Sequence, residues 1–180
     1  MCGIAGLIHK AKTVNIGKEL ENMLQALKHR GPDSTGFALY GEGHDNNYIM
    51  RFKVGENVKE GSKAINEDKS VYDARKKLVD SCLKEQGADV IKEEQITPYS
   101  FKYIMSYEGD LMEFSKSVES IEMVEILSIG KSLELVKDIG DAAVVSKQYG
   151  LDKIKGTHAI GHTRMATESG VDIRLSLIHI

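Results

Sequence analysis

An apolar block opens the chain, Cys2-Gly-Ile-Ala-Gly-Leu-Ile8. Its two glycines admit close neighbours, and the block predicts a short buried strand. The period then changes. Leu20, Met23, Leu24 and Leu27 recur at i, i+3, i+4 and i+7, which predicts a helix over about 18–28 with one apolar face. Gly31-Pro32 ends it, because proline cannot continue a helix. Phe37-Ala-Leu-Tyr40 predicts the next strand, closed by Gly41-Glu-Gly43. Residues 53–94 carry nine basic and ten acidic side chains, the pattern of a solvated helical layer. Within them Val71, Leu78, Val79, Cys82 and Leu83 trace a stripe that predicts a helix over about 71–86. Residues 99–107 alternate with Tyr99, Phe101, Tyr103 and Met105 on one side, as a strand does. A further strand is predicted over 122–129, and Leu133, Val136 and Ile139 predict a helix after Gly130. Residues 157–165 read as a last strand with a polar end. Strands and helices do not alternate as clean βαβ units, so the class is α+β and not a Rossmann-type sheet.

Composition narrows the function classes. With 180 residues, 24 Lys+Arg and 27 Asp+Glu, the net charge is −3. The length predicts one domain with room for a large insertion. At 41% hydrophobic and 28% charged the chain can bury a core. The mild acidity offers no footprint for nucleic acid or an anionic membrane. No apolar run approaches the roughly 20 residues of a spanning helix, and no basic leader precedes the first apolar block. Cys2 and Cys82 are too few for a disulfide scaffold, which fits a reducing cytoplasm. The last six residues, Leu175-Ser-Leu-Ile-His-Ile180, resemble the in-frame translation of a transposase end used in preparing sequencing libraries. On that reading the natural frame is recorded only to about Arg174, and 175–180 is a non-native tail.

Cys2 is the residue with the most chemistry. Removal of the initiator Met leaves a thiol and a free α-amine on one residue. A thiol of pKa about 8.5 and an α-amine of about 7.7–8.0 both titrate near neutrality. The amine can take the thiol proton and later return it to a leaving group, with no histidine required. Gly3 leaves room beside the sulfur. The plain alternative is a small buried hydrophobe.

Three motifs then fall in order. Met1-Cys-Gly-Ile-Ala-Gly6, His29-Arg-Gly-Pro-Asp-Ser-Thr-Gly36 and Gly161-His-Thr-Arg-Met-Ala-Thr167 resemble those of class II glutamine amidotransferases, which are N-terminal nucleophile hydrolases. The 133 residues between Arg30 and Arg164 exceed the family's compact spacing and place an insertion at about 53–155 of a partial type-2 domain over 1–174. With Val124-Glu-Ile-Leu-Ser-Ile-Gly-Lys131 inside it, the chain looks most like amidotransferase subunits related to glutamate synthase. The resemblance implies an αββα sandwich of two antiparallel sheets between helical layers. It implies hydrolysis of glutamine to glutamate and ammonia through a Cys2 thioester, with ammonia passed to a synthase subunit or domain, and no cofactor. It implies that Arg164 forks onto the substrate carboxylate, with the Thr167 hydroxyl beside it. Arg30, Gly31 and Asp33 would brace the nucleophile end. A structural ion pair at Arg164, strand packing at Thr167 and an ordinary surface turn at Pro32-Asp33-Ser34 are the alternatives.

The family's oxyanion Asn and Gly, and its amine-binding Asp, lie downstream of the arginine motif. No Asn follows Arg164, and Gly170 and Asp172 stand too close to it to match. Loss of one oxyanion donor costs roughly 10²–10³ in rate, so the 180 residues alone are expected to show little glutaminase activity. His158 and His162 lack the Glu of a zinc-protease helix, Ala159 standing there instead, and no metal site is expected. Cys82 belongs to a core stripe, and no phosphate loop is present. A regulatory or docking lobe that keeps the fold without catalysis stays open as the alternative, as does another N-terminal-nucleophile amidohydrolase.

Overall fold

The computed structural model describes residues 2–10, 13–44, 46–55, 58–60, 63–65 and 68–165. In chain order they form β1 (Gly3–Ile8), α1 (Ile16–Ala26), β2 (Ser34–Gly41), β3 (Tyr48–Lys53), β4 (Val58–Glu60) and β5 (Lys63–Ile65). There follow α2 (Lys69–Glu85), β6 (Asp89–Thr97), β7 (Ser100–Ser106), α3 (Leu111–Glu119), β8 (Glu125–Gly130), β9 (Leu133–Ile139), α4 (Ala142–Tyr149) and β10 (Gly156–Arg164). Two antiparallel four-stranded sheets and four α-helices make an α+β fold, and β4 pairs with β5 apart from both sheets. Among the described residues no helix is long and apolar enough to cross a membrane. The chain divides into two units, one of residues 1–43, 58–64 and 132–180, the other of 44–57 and 65–131.

In the first unit the sheet order is β1-β10-β2-β9. Helices α1 and α4 pack together and against this sheet, with Ile16, Leu20 and Leu24 of α1 fully buried. Asn15 starts α1 by accepting the Lys18 amide at 3.1 Å. Asp141 starts α4 by accepting the Ala143 and Val144 amides, and Gly150 closes it in the left-handed region at φ 63°. The buried Glu21 carboxylate of α1 accepts from Ser146 of α4 at 2.6 Å, so the helix pair is locked by a satisfied polar contact. Gly17 makes that layer possible: a Cβ there would sit 1.8 Å from the Leu151 carbonyl oxygen. Gly17→Ala is therefore expected to destabilise the protein by about 1–3 kcal/mol, checked by urea unfolding.

In the second unit the sheet order is β6-β7-β3-β8. Met50, Phe52, Tyr99, Phe101, Tyr103 and Met105 pack with Tyr72, Val79 and Leu83 of α2 and Phe114 and Val118 of α3 in one core. The alternation read over 99–107 is thus the core face of β7.

Two expectations are corrected. Residues 133–139 are a strand, not a helix, paired with β2 along its whole length. Val136, Lys137, Asp138 and Ile139 are all buried, so the strand is covered on both faces and shows no period of two. The charged stretch 53–94 is not a helical layer throughout: among its described residues only α2 is α-helical, and 89–97 is an edge strand whose Lys92, Glu93 and Glu94 reach solvent. The pattern does not predict β3, β4, β5, α3 or α4. The other expected elements stand, with ends moved by a few residues.

Candidate functional site

The site begins with strand register. Gly3 of β1 lies opposite Thr163 of β10 and Ile4 opposite His162. Carried one residue further, the register sets Cys2 opposite Arg164. The His9 amide donates to the Thr157 carbonyl at 2.7 Å, continuing the same register at the other end. Odd-numbered residues of this strand therefore make the hydrogen-bonded pairs. Cys2 and Arg164 fall in a non-hydrogen-bonded pair, where the Cα atoms approach to about 4.5 Å and the side chains share one face. Cys2 is exposed and Arg164 is half-buried.

The second motif holds the Arg164 end through backbone. Gly31 is buried and extended, at φ −176°, so space and not a left-handed backbone requires glycine. A Cβ at Gly31 would lie 2.5 Å from the Arg164 carbonyl carbon, 2.6 Å from its nitrogen and 2.7 Å from the Thr163 carbonyl carbon. The Asp33 amide donates to the Arg164 carbonyl at 3.1 Å, and the Gly140 amide donates to the Asp33 carbonyl at 2.9 Å. The Thr35 hydroxyl donates to the Gly140 carbonyl at 2.8 Å. Lys28, in the 3₁₀ turn Lys28–Arg30, pairs with Asp141 at 2.7 Å, and this ammonium holds the Asp141 carboxyl below its usual range. Arg30 is exposed on that turn, and Asp33 is half-buried with its main chain committed to β10. Position 2, Gly31, Asp33 and Arg164 are thus brought to one end of the first sheet. Thr167 lies outside the described residues, as do Gly170, Asp172 and the 175–180 tail.

The sequence pattern does not point to Gly140 and Asp141 as supports, because Leu133, Val136 and Ile139 before them mimic a helical face. The signal was present in the Asp141 cap and the Gly150 stop around eight residues.

His162 is 4% exposed beside this end of the sheet. Burial, then the charges of Arg164 and Lys137, push its imidazole below the ordinary range. His158 lies four residues away on the same strand, stacked on Tyr40 with ring centroids 4.0 Å apart. Among the described residues no group of three or more His, Cys, Asp and Glu could hold a metal ion. A histidine folded in its neutral form binds fewer protons than in the unfolded chain. Its stabilising contribution is complete above the unfolded pKa near 6.5 and is lost as pH falls below it. His162→Gln should therefore flatten the fall in urea midpoint between about pH 7.5 and pH 5. An acid limb as steep as the parent's would show that other groups cause it.

The register thus sets a residue that bears a thiol opposite one that bears a guanidinium at one end of the sheet. No protein-family model matches the chain. It is 34% identical over 176 residues to a protein of Methanothermobacter thermautotrophicus whose name assigns it provisionally to the glutamine amidotransferases. The match covers 96% of this chain and 54% of that protein. It is 27% identical over 175 residues to GlxB, a glutamine amidotransferase-like protein of Rhizobium meliloti, over 95% of this chain and 52% of that protein. The chain spans about half the length of these relatives. They support a glutamine amidotransferase family for it.

Proposed function

We propose that the chain carries the glutamine-hydrolysing centre of a class II amidotransferase, with the αββα sandwich of N-terminal nucleophile hydrolases. The observation that carries this reading is the register that sets Cys2 against Arg164 at one end of the first sheet. The Cys2 α-amine, freed by removal of Met1, takes the thiol proton. The sulfur attacks the side-chain amide carbon of glutamine. As the tetrahedral adduct collapses, the C–N bond breaks and the proton passes to the departing nitrogen, which leaves as ammonia. Water then cleaves the γ-glutamyl thioester to glutamate and restores the thiol. Arg164 binds the α-carboxylate, with Thr167 adding a hydroxyl. Arg30, Gly31 and Asp33 brace the site, and ammonia passes to a synthase partner.

A diazoketone analogue of glutamine tests the reading on the chain itself. Mass spectrometry should find alkylation at Cys2, suppressed by excess glutamine. Equal labelling of the half-buried Cys82, or labelling that glutamine does not suppress, would refute it. Absence of labelling favours the non-catalytic lobe. Arg164→Ala should raise KM for glutamine by roughly 10–100-fold, the scale of a charged hydrogen-bond pair, with a smaller change in kcat. A lowered kcat at unchanged KM would remove Arg164 from the carboxylate.

A further inference from the structure

A cavity of about 680 Å³ opens at one end of the second sheet. Small-molecule sites run from about 300 to 1,000 Å³, so its size fits one. Strand β3 starts there at Tyr48 and β7 ends there at Ser106. The register sets Ile49 opposite Gly130, so Lys131 leaves β8 beside the start of β3. The lining comes from the loop before β3, the turn after α2, the end of β7 with the residues after it, and Lys131. All of it belongs to the second unit, and no residue of the proposed glutamine site takes part.

Two walls are aromatic rings anchored from behind. Tyr48 and Tyr107 both pack against the second unit's core. The Tyr107 ring lies 4.7 Å from that of the fully buried Phe114, centre to centre. A Cβ at Gly109 would collide with the Tyr107 hydroxyl, so glycine there lets the phenol lie over the main chain. The Lys131 ammonium stands 5.9 Å from the Tyr48 ring centre, where the ring face attracts it and keeps it at the cavity.

The charges select the ligand. Among the described lining residues Lys131 is the one cation and Glu108 the one anion. The other polar side chains are neutral: the carboxamides of Asn46 and Asn47 and the hydroxyls of Ser106 and Tyr107. A simple anion would meet Glu108 and a simple cation Lys131, each a like charge. A neutral sugar would desolvate both charges and pair neither. A molecule with its own carboxylate and ammonium pairs both. The carboxamides donate and accept, which suits a polar group beside those charges.

We propose that this cavity binds a polar α-amino acid as its zwitterion, with the carboxylate on Lys131 and the ammonium on Glu108. Titration of the 180 residues with the proteinogenic L-amino acids, one at a time, tests this by nuclear magnetic resonance. At least one polar member should shift the amide signals of Asn47, Ser106 and Glu108 saturably, with a Kd of about 1 mM or tighter. Its amino alcohol lacks the carboxylate and its N-acetyl derivative lacks the ammonium. Each should bind at least about tenfold more weakly. Lys131→Met and Glu108→Gln should each weaken binding by at least about tenfold. Both side chains are exposed, so Tm should stay within roughly 2 °C of the parent's. The proposal is overturned by the absence of saturable shifts at about 10 mM, by binding of apolar amino acids alone, or by shifts confined to the first unit. Parent affinity in either variant, or for either analogue, overturns it as well. None of these outcomes bears on alkylation of Cys2, so the proposed function stands or falls separately.

Discussion

On the proposed function, Cys2→Ala is expected to lower glutamine hydrolysis by roughly 10³-fold or more, because the other thiol, Cys82, packs on α2 against the second unit's core. Strand register places the residue. Residue 2 stands before a strand whose pairing is regular from Gly3 to Ile8, so its position is fixed by six backbone pairs and not by a loop. The side chain is exposed, and by the register the residue stands opposite Arg164. Cys2→Ser separates the roles of the sulfur and the amine. It keeps a hydroxyl and the α-amine, yet should lose most of the rate, since an alkoxide is far harder to form than a thiolate at neutral pH. Steady-state ammonia release measures both variants, and mass spectrometry of the intact chain shows whether Met1 has been removed. Retention of activity by Cys2→Ala would end the assignment.

Gly31→Ala should be the most damaging change that leaves every candidate side chain in place. The new methyl would start 2.5 Å from the Arg164 backbone, where ordinary contact begins at 3.4 Å. The strand end must move by about 1 Å, or the turn must lift away, at a cost of about 1–3 kcal/mol. For a chain of this size that is a fall in Tm of roughly 2–12 °C. A misplacement of about 1 Å at a binding group costs on the order of 10² in rate. The expected signature is a KM rise like that of Arg164→Ala, with general thiol reactivity of Cys2 towards iodoacetamide unchanged. A variant with normal Tm and normal KM would show that the close approach of Gly31 does not position Arg164.

Much of the fold was legible because several segments bury one face only. Helix α1 shows its period through Leu20 and Leu24, and β7 shows alternation through Phe101, Tyr103 and Met105. The segments that hid are those where burial and polarity disagree. Strand β3 places Arg51 and Lys53 in buried positions, with the Lys53 ammonium 5.5 Å from the Tyr99 ring centre, so its pattern reads as surface. Strand β9 is covered on both faces and carries buried Lys137 and Asp138, the latter accepting from Tyr149 at 2.6 Å. Helix α4 is short, and its polar Ser146 is buried against Glu21, a partner 125 residues away.

By itself the sequence determined the chemistry on offer: a cysteine at position 2, a glycine-proline turn beside an arginine and an aspartate, and a second arginine near the end of an apolar strand. Residue types and local spacing carry that information, because thiol, guanidinium and glycine have properties no neighbour can replace. Only the tertiary structure decided that positions 2 and 164 oppose each other, that Gly31 lies against the Arg164 backbone, and that Gly140 and Asp141 complete the support. Those relations depend on pairing between strands more than a hundred residues apart, and long-range register is set by the whole sheet and its helices, not by any one segment.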